Sequence, residues 1–207
     1  YFYPTTASSF DSAAYNSYTG SLSLANWRRQ NLNLLVSGLY SAIKAVDPDI
    51  LFGISPAGNM STVYNSQYAD VYTWCSTAGY IDYICPQVYF GMKHSTQGFA
   101  SCSTGWSNIV THANVTLYVG VTLSKALEGY NGGIDTYAGT TEGQYEWVNN
   151  RDVMKTCLEY TRDNLSKCTG VAFFCYQYFY DPITGAAVVE TAEELNNFLP
   201  VLKAYGE

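Results

Sequence analysis

Apolar residues dominate the run Tyr80-Ile81-Asp82-Tyr83-Ile84-Cys85-Pro86-Gln87-Val88-Tyr89. A strand that is apolar on both faces is typical of a parallel sheet covered by helices. Shorter apolar runs of the same kind fall at residues 51–54, 117–122 and 171–176. Between these runs, apolar residues recur at the three-to-four-residue spacing of helices with one buried face. The alternation predicts four parallel strands interleaved with helices in an α/β fold.

The ends of two predicted helices are marked by specific residues. The first long helix has Ser23 as its candidate N-cap and stops before Asp47-Pro48, because proline disfavours the α conformation of the preceding residue. The last helix is predicted to open with the capping-box pattern Thr191-Ala-Glu-Glu194. The remaining predicted helices lie around residues 68–75, 106–110 and 153–165.

Length and composition exclude several classes of protein. The 207 residues correspond to about one domain, and 47% apolar residues with 20 tyrosines exclude a disordered chain. Acidic residues outnumber basic ones by 17 to 10, giving a net charge of -7, so nucleic acid is not a predicted partner. No apolar run approaches the roughly 20 residues of a membrane-spanning helix, so no membrane span is predicted.

Four strand–helix units fit either a small open α/β sheet or part of a (β/α)8 TIM barrel. No G-x-G-x-x-G or G-x-x-x-x-G-K-[ST] pattern follows a predicted strand, so the sequence predicts no nucleotide cofactor. The glycine-rich segment at residues 129–143 is too long for a phosphate-binding turn. These observations favour a barrel fragment.

Six cysteines are present, and no two of them have C-x-x-C spacing. His94 and His112 lie far from them in sequence, so no metal site is predicted. Apolar neighbours predict that four cysteines are buried as small core residues, whereas a disulfide that involves one of the other two is left open. The four are Cys75, Cys85, Cys157 and Cys175, and the other two are Cys102 and Cys168.

Aromatic and amide side chains cluster where the predicted strands end. Active sites of (β/α)8 barrels are built at the carboxyl ends of the strands and on the loops that follow. Aromatic faces pack against the C–H groups of sugars, and amides and hydroxyls bind sugar hydroxyls, so this composition predicts a carbohydrate site, with plain barrel packing as the alternative. The candidate substrate-binding residues are Tyr3, Asn59, Gln87, Tyr89, Lys125, Tyr176 and Tyr178.

Cleavage of a glycosidic bond normally needs two carboxyl groups that flank it. No strand end supplies such a pair, so the catalytic residues are not identified. Three loop carboxylates, Asp11, Glu128 and Asp181, are weak candidates, and Asp135 is similar to them. Asp82, near the start of its strand, is expected to be structural.

Several blocks of sequence, taken in order, are similar to a known family. They are Tyr1-Phe2-Tyr3-Pro4, Asn26-Trp27-Arg28-Arg29-Gln30-Asn31, Phe52-Gly53-Ile54-Ser55-Pro56-Ala57-Gly58-Asn59, Tyr80–Phe90 and Leu117-Tyr118-Val119-Gly120-Val121. These blocks resemble the glycosyl hydrolase-like 10 family (DUF187, the YngK-type bacterial proteins). The resemblance implies that residues 1–207 form the C-terminal half of a (β/α)8 TIM barrel. That half comprises the tail of strand four and about four βα units, strands five to eight.

The same resemblance has consequences for the site. The fourth strand of the family reads Asp-Asp-Tyr-Phe-Tyr-Pro, which implies an aspartate pair and the first half of the barrel upstream of Tyr1. Trp27 and Arg28 then open the helix after strand four, where the arginine is expected to hold a carboxylate or an acidic sugar substituent, or to form a structural salt bridge. Lys125 matches a Tyr-Lys pair of the family, although Ser124 replaces the tyrosine. The loop at residues 128–147 is expected to form a lid or subsite wall.

The resulting prediction is a glycoside hydrolase-like protein that cleaves a bacterial or environmental polysaccharide by carboxylate acid–base catalysis. A non-catalytic carbohydrate-binding barrel is the alternative, and an extracellular or cell-envelope location is expected. Half a barrel leaves open edges and uncovered side chains such as Val119, Phe173 and Cys175. We therefore expect the missing half, or a second copy of the chain, to be a partner.

Overall fold

The computed structural model describes residues 2–206, which form an α/β fold around one four-stranded sheet. All neighbouring strands are parallel and follow in chain order, β1-β2-β3-β4. The strands are β1 Gly53–Ile54, β2 Tyr83–Ile84, β3 Thr116–Val121 and β4 Cys168–Phe173. The prediction of four parallel strands interleaved with helices is confirmed.

Helices connect and flank the strands. They are α1 Ser12–Asn16, α2 Leu24–Val46, α3 Met60–Asn65, α4 Val71–Ser76, α5 Phe99–Ile109, α6 Ser124–Tyr130, α7 Thr141–Gln144, α8 Glu146–Asn149, α9 Val153–Asn164 and α10 Val189–Lys203. Short 3₁₀ turns lie at Tyr176–Tyr178 and Ala204–Gly206. None of the helices in this part of the chain has the length and hydropathy that crossing a membrane requires.

Strand β1 begins two residues later than predicted, β2 is shorter than predicted at both ends, and proline interrupts the ladders beyond their carboxyl ends. Pro56 and Pro86 have no backbone N–H to donate to a neighbouring strand. Pairing resumes beyond them only as single bridges, in which Gln87 pairs with Ala57 on one side and Gly120 on the other. The predicted strand tail at the start of the chain is not formed by Phe2–Pro4, and Tyr1 lies outside the described residues.

The two faces of the sheet differ. Parallel strands in sequential order, joined by right-handed crossovers, place their helices on one face. Leu117, Val119 and Val121 face that side and are buried in the core. The expectation that Val119 is uncovered was wrong, because alternation along β3 places it on the helical side. Phe173 is also covered there, since its ring stacks on that of Phe198 in α10 with centroids 5.3 Å apart.

The opposite face of the sheet carries Tyr83 and Tyr118, whose rings meet edge to face at 5.6 Å. Gly53 and Gly170 provide the room for these rings, since a Cβ on Gly53 would overlap Tyr83 and one on Gly170 would contact Tyr118. Both tyrosines are only half-buried. Among the described residues, the sheet is therefore packed on one side and open on the other.

The predicted N-terminus of the long helix is confirmed, but that of the last helix is not. Ser23 Oγ accepts a hydrogen bond from the Asn26 amide at 3.4 Å, and α2 ends before Asp47. Helix α10 begins at Val189, so Thr191 lies inside it and donates its hydroxyl to the Tyr178 carbonyl. The capping-box prediction was wrong because the Glu194 carboxylate is bound by another helix, α9.

The cysteine predictions are confirmed in part. Cys75, Cys85 and Cys157 are buried, whereas Cys175 is half-exposed because it follows the end of β4. All six thiols are free, including those of Cys102 and Cys168.

Candidate functional site

The carboxyl edge of the sheet gathers side chains from strands that are distant in sequence. Parallel strands end at the same edge, so the residues that follow them lie side by side. Gln87 follows β2 and bridges both neighbouring strands, and its Nε2 donates to the Ser55 carbonyl at 3.2 Å. Gln87 as a whole is half-buried. It therefore stands at the centre of this edge with its amide oxygen free of any described partner.

Tyr89 and Phe174 bring the ends of β2 and β4 together. Their rings stack with centroids 6.3 Å apart and planes inclined by 21°. Phe174 is 59% exposed, so one aromatic face is available to a ligand. Burial raises the pKa of the Tyr89 phenol, as do the neighbouring Cys85, Cys175 and Tyr178. The phenol is thus a neutral hydrogen-bonding group at neutral pH.

Two more tyrosines extend this aromatic surface. Tyr176 is 63% exposed and lies 5.6 Å from the ring of Tyr180. Tyr178 is half-buried and packs against the core from the 3₁₀ turn. We call Tyr89, Phe174, Tyr176 and Tyr180 the aromatic rim. Sequence reasoning identified Tyr89 and Tyr176 as site residues and missed Phe174, although it lies inside the apolar run that predicted β4.

Three other predicted substrate-binding residues are held by local contacts. The Tyr3 hydroxyl accepts a hydrogen bond from Asn31 at 3.3 Å, and its ring packs edge to face with that of Tyr68. Asn59 is the N-cap of α3, where its side chain accepts from the Thr62 amide at 3.1 Å. Trp27 packs against Tyr15 and Tyr18, which also stack on each other. Their roles in substrate binding stay predictions.

Arg28 forms a buried ion pair with Asp11. The guanidinium is completely buried, and its Nε and Nη2 donate to the two Asp11 oxygens at 2.8 and 2.6 Å. It also donates to the Ala7 carbonyl at 2.8 Å and lies over the rings of Tyr3 and Tyr68. Hydrogen bonding to Arg28 lowers the pKa of Asp11. Of the two alternatives for Arg28, the geometry favours an internal ion pair that fastens the segment before α1.

The other candidate carboxylates are also engaged locally. Glu128 accepts from Lys125 at 3.2 Å within α6, and Lys125 lies 3.8 Å from Asp135. Asp181 accepts from the amides of residues 183 and 184 and from the Thr184 hydroxyl, which lowers its pKa. Asp11 and Asp181 thus have partners of their own, Glu128 and Asp135 share Lys125, and a facing pair of acids is not formed by Asp11, Glu128 and Asp181.

The site can therefore bind, by ring stacking and amide hydrogen bonds, more readily than it can transfer protons. The residues described here contain no group of three His, Cys, Asp or Glu side chains that could hold a metal ion. Asp82 is structural as predicted, since its carboxylate accepts from the Phe52 amide at 2.8 Å and pairs with Lys44 at 2.9 Å.

Comparison with known proteins identifies the family of the chain. A sequence model of the family described as Glycosyl hydrolase-like 10 matches residues 1–131, well over half of the chain. The chain is 28% identical over 195 residues to the glycosyl hydrolase DigH of Escherichia coli K12, covering 86% of this chain and 42% of that protein. It is 35% identical over 141 residues to the glycosyl hydrolase YngK of Bacillus subtilis, covering 58% of this chain and 27% of that protein.

The chain thus spans less than half the length of these relatives. The match to the family model covers the blocks on which the resemblance was based, from residue 1 through Leu117–Val121. The chain belongs to the glycosyl hydrolase-like 10 family.

Proposed function

We propose that this chain supplies the substrate-binding side of a glycoside hydrolase that acts on a bacterial or environmental polysaccharide. The observation that carries the proposal is the stacked pair Tyr89 and Phe174 at the carboxyl edge of a parallel sheet, the edge to which Gln87 also belongs. A sugar ring packs on the exposed Phe174 face, and the amide oxygen accepts from its hydroxyls. Family membership and the names of the relatives support hydrolysis as the reaction.

The proposed chemistry is general acid–base cleavage through an oxocarbenium-like transition state, which needs two carboxyl groups. The three candidates in this chain are engaged elsewhere, so we assign that role to the aspartate pair that the family resemblance implies upstream of Tyr1. The alternative is a carbohydrate-binding module without catalysis. It is favoured by the absence of a facing acid pair among Asp11, Glu128 and Asp181.

We also propose that the sheet is part of a (β/α)8 barrel and that its edges are covered in the whole protein. Within residues 2–206, strand β1 pairs on one side only, with β2. Beside it lies a groove of about 590 Å³, lined by apolar residues of α2 such as Val36, Leu39 and Ile43. A further parallel strand fits that position, because it would satisfy the free edge of β1 and fill the groove. Upstream sequence or a second copy of the chain would provide it.

The test compares aromatic variants in the full-length protein. Tyr89→Ala or Phe174→Ala is expected to weaken binding of an oligosaccharide identified from a bacterial glycan panel by about fivefold, the worth of about 1 kcal/mol of stacking. Tyr72→Ala is the matched control, since Tyr72 also forms an aromatic pair, with Tyr64 at 5.0 Å, but on α4. Equal effects of all three variants would contradict the proposed site.

Turnover separates the two candidate functions. A hydrolase releases new reducing ends from the same glycans, whereas a binding module retains them without cleavage. Loss of turnover on replacing the upstream aspartates, with binding retained, would assign catalysis to them. We also propose an extracellular or cell-envelope location, for which the abundance of tyrosine and the low lysine and arginine content offer support. Fractionation of the host cells tests it.

A further inference from the structure

Glu146 is a buried carboxylate with two backbone partners. It belongs to α8, in the segment that follows β3, and is only 4% exposed. Its Oε1 accepts from the Met92 amide at 3.1 Å and its Oε2 from the Lys93 amide at 3.0 Å. Burial raises the pKa of this carboxyl, although both amides favour its charged form. Glu146 therefore ties the loop after β2 to the segment after β3.

The side chains of Glu146 and Trp147 pack closely against the backbone of the loop after β2. A side chain at Gly91 would overlap the Glu146 carboxylate and would contact the indole nitrogen of Trp147. The Trp147 side chain is buried, and its N–H has no hydrogen-bond partner in the part of the chain that the structure describes. The backbone at Gly91 is thus held against two consecutive side chains of α8. A residue larger than glycine cannot occupy this position without displacing the carboxylate.

Other contacts join the same two segments. Lys93 Nζ pairs with Glu142 at 2.6 Å, and the Ser95 amide donates to the Ala138 carbonyl at 2.9 Å. The exposed Lys93–Glu142 pair contributes little on its own. Glu146 differs because its two hydrogen bonds are buried, and losing a partner leaves a buried polar group unsatisfied, which is costly.

The loop that Glu146 holds continues directly from the aromatic rim. Tyr89 lies two residues before Gly91, and the Gly91 carbonyl is fixed by the Phe99 amide of α5 at 3.0 Å. We propose that Glu146 is a positioning residue, which sets the orientation of Tyr89 in the rim through its two hydrogen bonds to the loop. This inference rests on the proposed function for its consequence in glycan binding, but not for the orientation of Tyr89 itself.

Glu194 offers a matched control of the same chemistry. It is 1% exposed, and its two oxygens accept from the Val153 and Met154 amides at 3.1 and 3.2 Å. Those amides begin α9 and do not belong to the loop after β2. Replacing either glutamate by glutamine removes one acceptor and places an NH₂ group opposite an amide N–H. Only the Glu146 change alters contacts of the loop that continues from Tyr89.

The experiment places 3-fluorotyrosine at position 89 of the full-length protein and records its fluorine resonance. Glu146→Gln is expected to shift or broaden this resonance, whereas Glu194→Gln leaves it unchanged. An unchanged Tyr89 resonance in a folded Glu146→Gln protein would overturn the proposal. This readout needs no ligand, so it remains decisive even if the protein binds no glycan.

Binding gives the second readout. We expect Glu146→Gln to weaken binding of the oligosaccharide from the panel about threefold, less than the removal of the Tyr89 side chain itself, with kcat changed much less than KM. Gly91→Ala should reproduce both effects by displacing the carboxylate. It replaces Glu146→Gln in the experiment if that variant does not fold. Gly38→Ala, at a helical site with open space around it, is its control. Failure of the wild-type protein to bind would contradict the proposed function alone.

Discussion

The Arg28–Asp11 pair is a residue-scale feature with a clear energetic consequence. Removing one partner of a buried ion pair leaves the other charge uncompensated. Asp11→Ala leaves Arg28 completely buried with only carbonyl and aromatic partners. We expect this change to lower the free energy of unfolding by about 3 kcal/mol, measured by chemical denaturation near neutral pH.

A surface pair provides the comparison for that measurement. Arg162 and Asp163 form an exposed ion pair at 2.7 Å, so Asp163→Ala should leave the denaturation midpoint unchanged. Because pairing with Arg28 lowers the pKa of Asp11, the contribution of the buried pair persists above the usual carboxyl pKa and is lost as pH falls through the lowered value. Equal midpoints for the two variants would contradict this prediction, since they would mean that Arg28 becomes exposed to solvent when Asp11 is removed.

The sequence predicted which residues lie at the site more readily than it predicted which residues they contact. Gln87, Tyr89 and Tyr176 could be placed at strand ends because a buried apolar run reveals where a strand stops. Asp11 and Arg28 are 17 positions apart, and no local pattern shows that a loop returns the carboxylate to the helix. A charged side chain in sequence therefore indicates a polar position, whereas its role depends on which segment folds over it.

At the scale of elements, Glu194 couples α10 to α9 in a pH-dependent way. Burial raises its pKa from 4.5 to about 7, with a smaller increase from Asp152 and opposing effects from the two amides and Arg151. The folded state then binds the Glu194 proton more tightly than the unfolded state does. Stability contributed by this group is therefore complete below the unfolded pKa and is lost as pH rises through the folded pKa.

Chemical denaturation across pH tests that linkage. Between about pH 8 and about pH 5.5, Glu194 alone should raise the free energy of unfolding by about 1–2 kcal/mol, and Glu194→Gln should remove that part of the slope. Glu159→Gln is the control, because Glu159 is a more exposed glutamate of α9 that lies near Lys155. Identical slopes for wild type and Glu194→Gln would mean that the carboxylate titrates in the folded protein as it does in the unfolded one.

The same glutamate explains an error in predicting helix boundaries. Thr191 and Glu194 have capping-box spacing, but a capping box is a local interaction, and here Glu194 binds amides 41 and 40 positions away. Long helices with one apolar face, such as α2 and α9, were predictable. Of the short helices, α4 was predicted from the apolar stripe at residues 68–75, whereas α1, α3 and α6–α8 were not, because their four to seven residues display no such face.

At the scale of the whole molecule, sequence predicted the parallel sheet but not which face of it is covered. Runs that are apolar throughout indicate strands, yet they assign no side chain to a face. In β3 that ambiguity led to the wrong expectation for Val119, which shares the helical side with Leu117. The small residues Gly53 and Gly170 indicate the other face only after the register of the strands is known.

The free edge of β1 and the neighbouring face of α2 lead to a prediction about the chain by itself. Leu35 and Val46 lie on that helix and are 43% and 84% exposed, and Leu39 and Ile43 line the apolar groove beside β1. Exposed apolar surface next to an unpaired strand edge favours association. In size-exclusion chromatography with light scattering, the isolated chain should therefore exceed its monomer mass of 22.9 kDa.

The double variant Leu35→Lys with Val46→Lys should shift the mass of the isolated chain towards that of the monomer. Tyr137→Lys, at an 84% exposed site in the segment after β3, should not. A well-folded monomer of the unmodified chain would contradict the view that these surfaces need a partner.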